Sequence, residues 1–182
     1  MKRIYLFLAP GFEEIEAIAT IDILRRANLD VKSVSISGDL KVTGAHGISV
    51  ETDSLFPEID FTDAEMLVLP GGMPGTKNLN MHEGLKAVLL LHAKAAKPLA
   101  AICAAPMILG QLGILEGKEA TCYPGNEVHL KGAILSEYMI VQDSNIITAS
   151  GPGVAAEFAL QIVEHFLGEE KMEEISKALL LG

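Results

Sequence analysis

The chain is short of positive charge. Its 14 Lys and Arg stand against 24 Asp and Glu, a net charge of -10 at pH 7 with a sequence pI near 4.9. General binding to nucleic acid or to an anionic membrane requires a basic footprint, so neither is expected as a partner. Cysteine is scarce as well: Cys103 and Cys122 are the only two, and they form no C-x-x-C pair. That pattern excludes a disulfide framework and a cysteine-based zinc motif, and it fits a reducing compartment. The five histidines show no metal-ligand spacing. The apolar run over 4–9 is too short to span a bilayer and is followed by Glu13 and Glu14, unlike a signal peptide or an anchor. Neither a G-x-x-x-x-G-K nor a G-x-G-x-x-G phosphate loop occurs. No linker, internal repeat or low-complexity tract divides the chain. These absences leave a soluble cytoplasmic protein without a metal. What is present is 182 residues, 49% hydrophobic, with a mean hydropathy of +0.34. That supports one domain over 1–182 with a substantial core, and it argues against disorder.

Apolar runs and turn residues alternate along the chain. Strands are expected over 2–9, 31–37, 66–69, 99–102 and 119–123, and helices over 12–27, 83–96, 104–112, 152–167 and 169–180. Segments 40–42 and 48–51 read as a hairpin, as do 138–142 and 145–149 with Asp143-Ser144 at the tip. The polar, proline-containing stretch 53–63 reads as loop. In the helix over 83–96, the apolar stripe is read at Ala87, Leu90 and Leu91. The βαβ alternation calls for a mostly parallel sheet with helices on both faces and right-handed crossovers. Ligands of such sheets bind beyond the carboxyl ends of the strands. Four corners fall there: Pro10-Gly11, Pro70-Gly71-Gly72, Ile102-Cys103 and Ser150-Gly151-Pro152-Gly153.

The run Pro98-Leu-Ala-Ala-Ile-Cys103-Ala-Ala-Pro106 carries the most chemistry. It places a thiol at a tight strand-to-helix corner, where helix N–H groups favour an anion and lower a cysteine pKa from its usual value of about 8.5. The alternative is a buried cysteine acting as a small apolar filler. Glu16 is the second such residue. It shares the i, i+4, i+7, i+11 face of the first helix with Phe12, Ala19 and Ile23, a stripe otherwise apolar or small. Either the helix rotates and Glu16 is solvated, or the carboxyl is buried and its pKa rises. A buried Glu16 beside Cys103 would share one proton with it, the carboxyl neutral and the thiol anionic near neutrality. Glu13 and Glu14 read as ordinary first-turn acids. Gly71 and Gly72 make either a plain turn or, with the Ala104 N–H, an oxyanion site. Ser150, Gly151 and Pro152 start a helix and stand where a pocket is expected. Cys122 and Tyr123 fall in a predicted strand, so they point to opposite faces, with Cys122 in the core.

Taken together, Gly11-Phe-Glu-Glu-Ile-Glu16, Leu69-Pro-Gly-Gly72, Ala101-Ile-Cys-Ala-Ala-Pro106 and Gly151-Pro-Gly153 resemble the ThiJ/PfpI superfamily. The similarity is to the branch containing the Parkinson-disease-linked deglycase and YajL-type proteins, and it runs from Lys2 to about Gly168. The resemblance implies a flavodoxin-like three-layer sandwich related to class I glutamine amidotransferases, a homodimer, and a nucleophile-elbow cysteine that is readily oxidised and pairs with a protonated glutamate. By position, Cys103 and Glu16 take those roles, Gly72 and Ala104 match the backbone donors, and Gly71, Tyr123, Gly151 and Pro152 line the substrate site. Family activities are cofactor-independent conversion of methylglyoxal to lactate, deglycation and redox-linked chaperone behaviour. Two positions depart from the family. Protease members carry a histidine directly after the cysteine, where this chain has Ala104. The deglycase branch often has a histidine near the thiol, where this chain has Tyr123, a phenol that donates a hydrogen bond but is a poor base.

Three functions follow as expectations. The first is a cofactor-free glyoxalase or deglycase acting on small reactive aldehydes. The second is an oxidative-stress sensor or redox-regulated chaperone working through Cys103. The third is a cysteine hydrolase using a distant histidine such as His129.

Overall fold

The computed structural model describes residues 3–181. In chain order its elements are β1 (Arg3–Leu8), α1 (Glu14–Arg26), β2 (Asp30–Ser35), β3 (Lys41–Thr43), β4 (Ser49–Glu51), β5 (Ser54–Leu55), β6 (Ala64–Leu69), α2 (Gly75–Met81), α3 (Glu83–Lys94), β7 (Leu99–Ile102), α4 (Pro106–Gln111), β8 (Glu119–Ala120), β9 (Ile134–Leu135), β10 (Ile140–Asp143), β11 (Ile146–Ala149), α5 (Ala155–Leu167) and α6 (Glu169–Ala178). Residue 2, the expected start of the first strand, lies outside the described residues.

Seven strands form the main sheet in the order β10-β11-β7-β6-β1-β2-β5. All its pairings are parallel except β10 with β11. β1 shows why the sheet is covered on both sides. Ile4, Leu6 and Leu8 join one core with Ile23 and Leu24 of α1 and Phe158 and Ile162 of α5. Tyr5, Phe7 and Ala9 join the other with Leu79 of α2, Leu85 and Leu89 of α3 and Ile108 of α4. Alternate side chains of a strand point to opposite faces, so a nearly continuous apolar strand requires helices on each side. Parallel pairing then brings the ends of β1, β6, β7 and β11 to one rim, as the four corner motifs required.

Several expectations need correction. Residues 53–63 are not simply loop: Ser54–Leu55 pairs with Val34 and Ser35 as the edge strand, and two 3-10 turns follow at Phe56–Glu58 and Phe61–Asp63. The segment is too short and polar for periodicity to reveal a two-residue edge strand. The α3 stripe is Leu85, Leu89 and His92, whereas Ala87, Leu90 and Leu91 are exposed. Leucines occur on both faces of this helix, so hydrophobicity alone did not orient it. The short helix α2 was not foreseen. The first turn of the predicted helix over 152–167 is a 3-10 turn at Pro152–Val154. The tip of the β10–β11 hairpin is Ser144-Asn145. The expected strand over 119–123 shrinks to Glu119–Ala120, paired with Ile134–Leu135 in a separate small sheet. Among the described residues no helix is long and apolar enough to cross a membrane.

His92 is a buried imidazole within the α3 stripe. Its Nε2 lies 3.1 Å from the Pro98 carbonyl oxygen, and burial lowers its pKa from 6.5 to about 4. The unfolded chain takes up this proton before the folded one does. Stability from the neutral ring is therefore complete above pH 6.5 and is lost as pH falls toward 4, by roughly 3 kcal/mol for a shift of this size. Urea unfolding of wild type and His92→Gln at pH 7 and pH 4 should show that increment in the wild type alone.

Candidate active site

The all-buried strand β7 delivers Cys103 to the rim. Cys103 has φ +63°, in the left-handed region. For a residue with a β-carbon this costs about 1–2 kcal/mol. Two backbone hydrogen bonds hold the residue there: its N–H donates to the Ala149 carbonyl at 2.8 Å, and its carbonyl accepts from the Tyr123 N–H at 2.7 Å. Such bonds each contribute about 0.5–1.5 kcal/mol, enough to offset the strain. The thiol is thus turned out of the strand direction, and the side chain is 8% exposed.

Glu16 sits in the first turn of α1 and is fully buried. Glu13 caps this helix, its Oε2 accepting the Glu16 N–H at 2.8 Å. The Gly71 N–H donates to Glu16 Oε2 at 2.7 Å, while Oε1 is buried without a hydrogen-bond partner. The carboxyl lies against the Cys103 side chain, close enough for each group to shift the other. Gly71 separates them: a β-carbon there would stand 2.7 Å from Cys103 Cβ and 2.8 Å from Glu16 Oε2. At Gly72, with φ +90°, a β-carbon would meet the Glu13 nitrogen at 2.4 Å. Both glycines are therefore demanded by close approach, and the plain-turn alternative is too weak a description. Gly71, expected to line the substrate site, donates its N–H to Glu16 Oε2.

Burial raises the Glu16 carboxyl to about 7; the Gly71 N–H and the contact with Cys103 pull it down, and the Glu13 charge pushes it up. The buried-acid reading of Glu16 therefore holds. Cys103 corrects the expectation for the thiol. Burial first, and the Glu16 charge second, push it up to about 12 against the Gly72 and Ala104 N–H groups. The helix end alone does not lower it, because α4 begins only at Pro106 and has six residues. Two buried acids in contact cannot both ionise cheaply, so the pair gives up its first proton near pH 7 and keeps the second well above neutrality.

Beside the elbow lies a cleft of about 500 Å³ whose lining includes Cys122, Tyr123, Tyr138, Met139, Gly151 and Pro152. Tyr123, Gly151 and Pro152 thus meet as expected, with the Tyr123 ring 3.2 Å from where a Gly151 β-carbon would be. Cys122 and Tyr123 lie beyond the end of β8; Cys122 is buried in the core as expected, Tyr123 is half-exposed, and atoms of both border the cleft. Burial and the Glu127 charge push the Cys122 thiol up to about 11. His129 belongs to a 3-10 turn packed over Gly110 and is not among the groups acting on Cys103. Another cavity, of about 400 Å³, lies beside the amino ends of β6 and β7 around Phe61, Val88 and His92. It is remote from the elbow.

Sequence reasoning missed the hairpin clasp at the rim. Glu13 and Glu14, read as ordinary first-turn acids, are only 8% and 6% exposed. Glu14 reaches across to the β3–β4 hairpin, its Oε1 accepting the His46 N–H at 2.7 Å and its Oε2 lying 2.8 Å from His46 Nδ1. The one available signal was Gly44, where a β-carbon would collide with the Glu14 carboxyl at 2.4 Å.

Residues 2–165 match the DJ-1/PfpI family model. The chain is 37% identical to protein DJ-1 homolog B of Arabidopsis thaliana, covering 98% of this chain but only 41% of that protein. It is 34% identical to protein dj-1beta of Drosophila melanogaster, over 100% of this chain and 98% of the relative. It is 32% identical to the glutathione-independent glyoxalase DJR-1.2 of Caenorhabditis elegans, over 100% and 97%. Among solved structures, oxidized Toxoplasma gondii DJ-1 superposes with a TM-score of 0.95 at 32% identity, covering 99% of this chain and 98% of that one. The flavodoxin-like fold is common to them.

The glycine geometry gives a direct test. Gly71→Ala should destabilise the protein by about 1–3 kcal/mol, the usual range for overpacking, and change the rate of Cys103 alkylation by iodoacetamide. Gly153→Ala, with nothing within 4 Å of the new β-carbon, should do neither.

Proposed function

The chain belongs to the DJ-1/PfpI family, and on that footing we propose that it is a cofactor-independent glyoxalase or deglycase acting on small reactive aldehydes through Cys103. The observation that carries this reading is a buried carboxyl against a buried thiol, each shifting the ionisation of the other. The reactive form has the proton on Glu16 and the charge on sulfur, where the Gly72 and Ala104 N–H groups oppose the cost of burial. Thiolate attack on the aldehyde carbon of methylglyoxal gives a hemithioacetal, its oxyanion received by those same amides. Glu16 gives its proton to that oxyanion; as the carboxylate it then takes the proton from the same carbon and returns it to the neighbouring one, while the new hydroxyl proton passes to the second oxygen, leaving a lactoyl thioester. Water hydrolyses the thioester to lactate and frees the thiol, so no redox partner or cofactor enters the balance. Tyr123 orients the substrate from the cleft wall, where Gly151 and Pro152 complete the surface. The glyoxalase name of the worm relative supports this reading over a sensor or chaperone without turnover.

Purified protein with methylglyoxal should form lactate. Cys103→Ala should abolish the activity and Glu16→Gln should reduce it by at least about 100-fold, the lower range for a lost acid–base group. In the wild type, kcat/KM should rise through pH 7 as the pair loses its first proton. Lactate formation by Cys103→Ala at the wild-type rate would defeat the mechanism.

We further propose a homodimer formed on the outer face of α1. Ile15 and Ile18 project from that face, 59% and 42% exposed, and Ile48 in the hairpin beside it is 57% exposed. Exposed isoleucines on neighbouring elements of an acidic protein favour self-association. Ile15→Asp/Ile18→Asp should halve the mass seen by light scattering at micromolar concentration.

A further inference from the structure

Oxygen and nitrogen donors also gather outside the thiol site. Glu13, Glu14 and His46 each offer a ligand atom, and these atoms lie within 4.8 Å of one another. The closest pair, Glu14 Oε2 and His46 Nδ1, is 2.8 Å apart. That contact is a hydrogen bond, and an ion would take the place of its hydrogen, the two donors moving apart to about 3.3 Å around a tetrahedral zinc. Glu13 spends Oε2 on the Glu16 N–H, and its other oxygen takes no hydrogen bond among the described residues. That oxygen belongs to a side chain more than nine-tenths buried.

The charge balance points the same way. Two buried carboxylates lie side by side, and among the described residues no lysine or arginine pairs with either. The only cationic partner is His46, whose side chain is 70% exposed. Glu14 is compensated by the His46 and Ile48 N–H groups, whereas the second oxygen of Glu13 is not, and a divalent cation would offset that cost. The donors are also held in place. Two backbone bonds, Gly11 N–H to the Thr43 carbonyl and Ala45 N–H to the Phe12 carbonyl, both 2.8 Å, staple the hairpin to the loop before α1. Mixed carboxylate and imidazole donors suit zinc and neighbouring first-row divalent ions, and the exposed side of His46 leaves room for water to complete the shell.

We propose that Glu13, Glu14 and His46 form a binding site for a first-row divalent cation, which clamps the β3–β4 hairpin to the first turn of α1. This site does not depend on the thiol chemistry, so it is tested without it. Zinc chloride is titrated calorimetrically into the full chain carrying Cys103→Ser and Cys122→Ser, which removes the competing thiols. One zinc per chain should bind with micromolar or tighter affinity and raise the melting temperature. Adding His46→Ala, or separately Glu13→Gln, should weaken binding by about tenfold or more and cancel the thermal shift. His46 is exposed and glutamine keeps the helix-capping oxygen, so both variants should fold. Substoichiometric binding in the parent, or unchanged affinity in either variant, would overturn the three-donor site.

Discussion

A carboxyl and a thiol buried against each other can afford only one negative charge between them, and the site is organised around that constraint. Glu16 is raised by burial, Cys103 by burial and by Glu16. Each group therefore makes the other a proton acceptor or donor near neutrality. Gly71 lets the two side chains come together, because any β-carbon at that position would occupy the space they share. The Gly71 N–H steadies one carboxyl oxygen and leaves the other unpartnered. That unpartnered buried oxygen is a local cost that a proton shared with sulfur relieves.

The rest of the fold serves to hold this contact. A left-handed cysteine persists only where its surroundings over-determine it. Here the end of β11 and the loop carrying Tyr123 supply the two bonds that do so. Those segments reach Cys103 because parallel strands β11, β7 and β6 all end at the same rim. The acid arrives from α1, which is anchored on the opposite side by packing against α5 and by the Glu13 cap. Stability and chemistry thus draw on the same backbone hydrogen bonds.

The cleft beside the rim is lined in part by Tyr123, Gly151 and Pro152. Tyr123 presents a phenol half-exposed to the cleft, and its backbone N–H fixes the nucleophile's carbonyl. Among the described residues no imidazole acts on the thiol, and Glu16 is the ionisable side chain that shifts it. The neighbouring clasp of Glu14 and His46 fixes the hairpin beside the same helix end. The helix that carries Glu16 is therefore held at its first turn from two directions.

Much of this was legible in the residue order. The two-sided sheet followed from strands such as β1, whose successive residues are all apolar. The corner cysteine followed from a short apolar strand running into small residues and a proline. Glu16 stood out because a carboxyl interrupted an apolar helical stripe. Each of these signals is local, set by backbone period and side-chain polarity within a few turns. Other features were decided only by tertiary packing. The face of α3 was ambiguous because leucines occupy more than one side of it. The state of the Cys103 thiol depended on desolvation and on a charge 87 positions away in the chain, not on the helix start beside it. The pairing of Glu14 with His46 spans 32 positions, and no spacing rule reaches that far. Burial and long-range electrostatics depend on distances in space, and those exist only once the chain has folded.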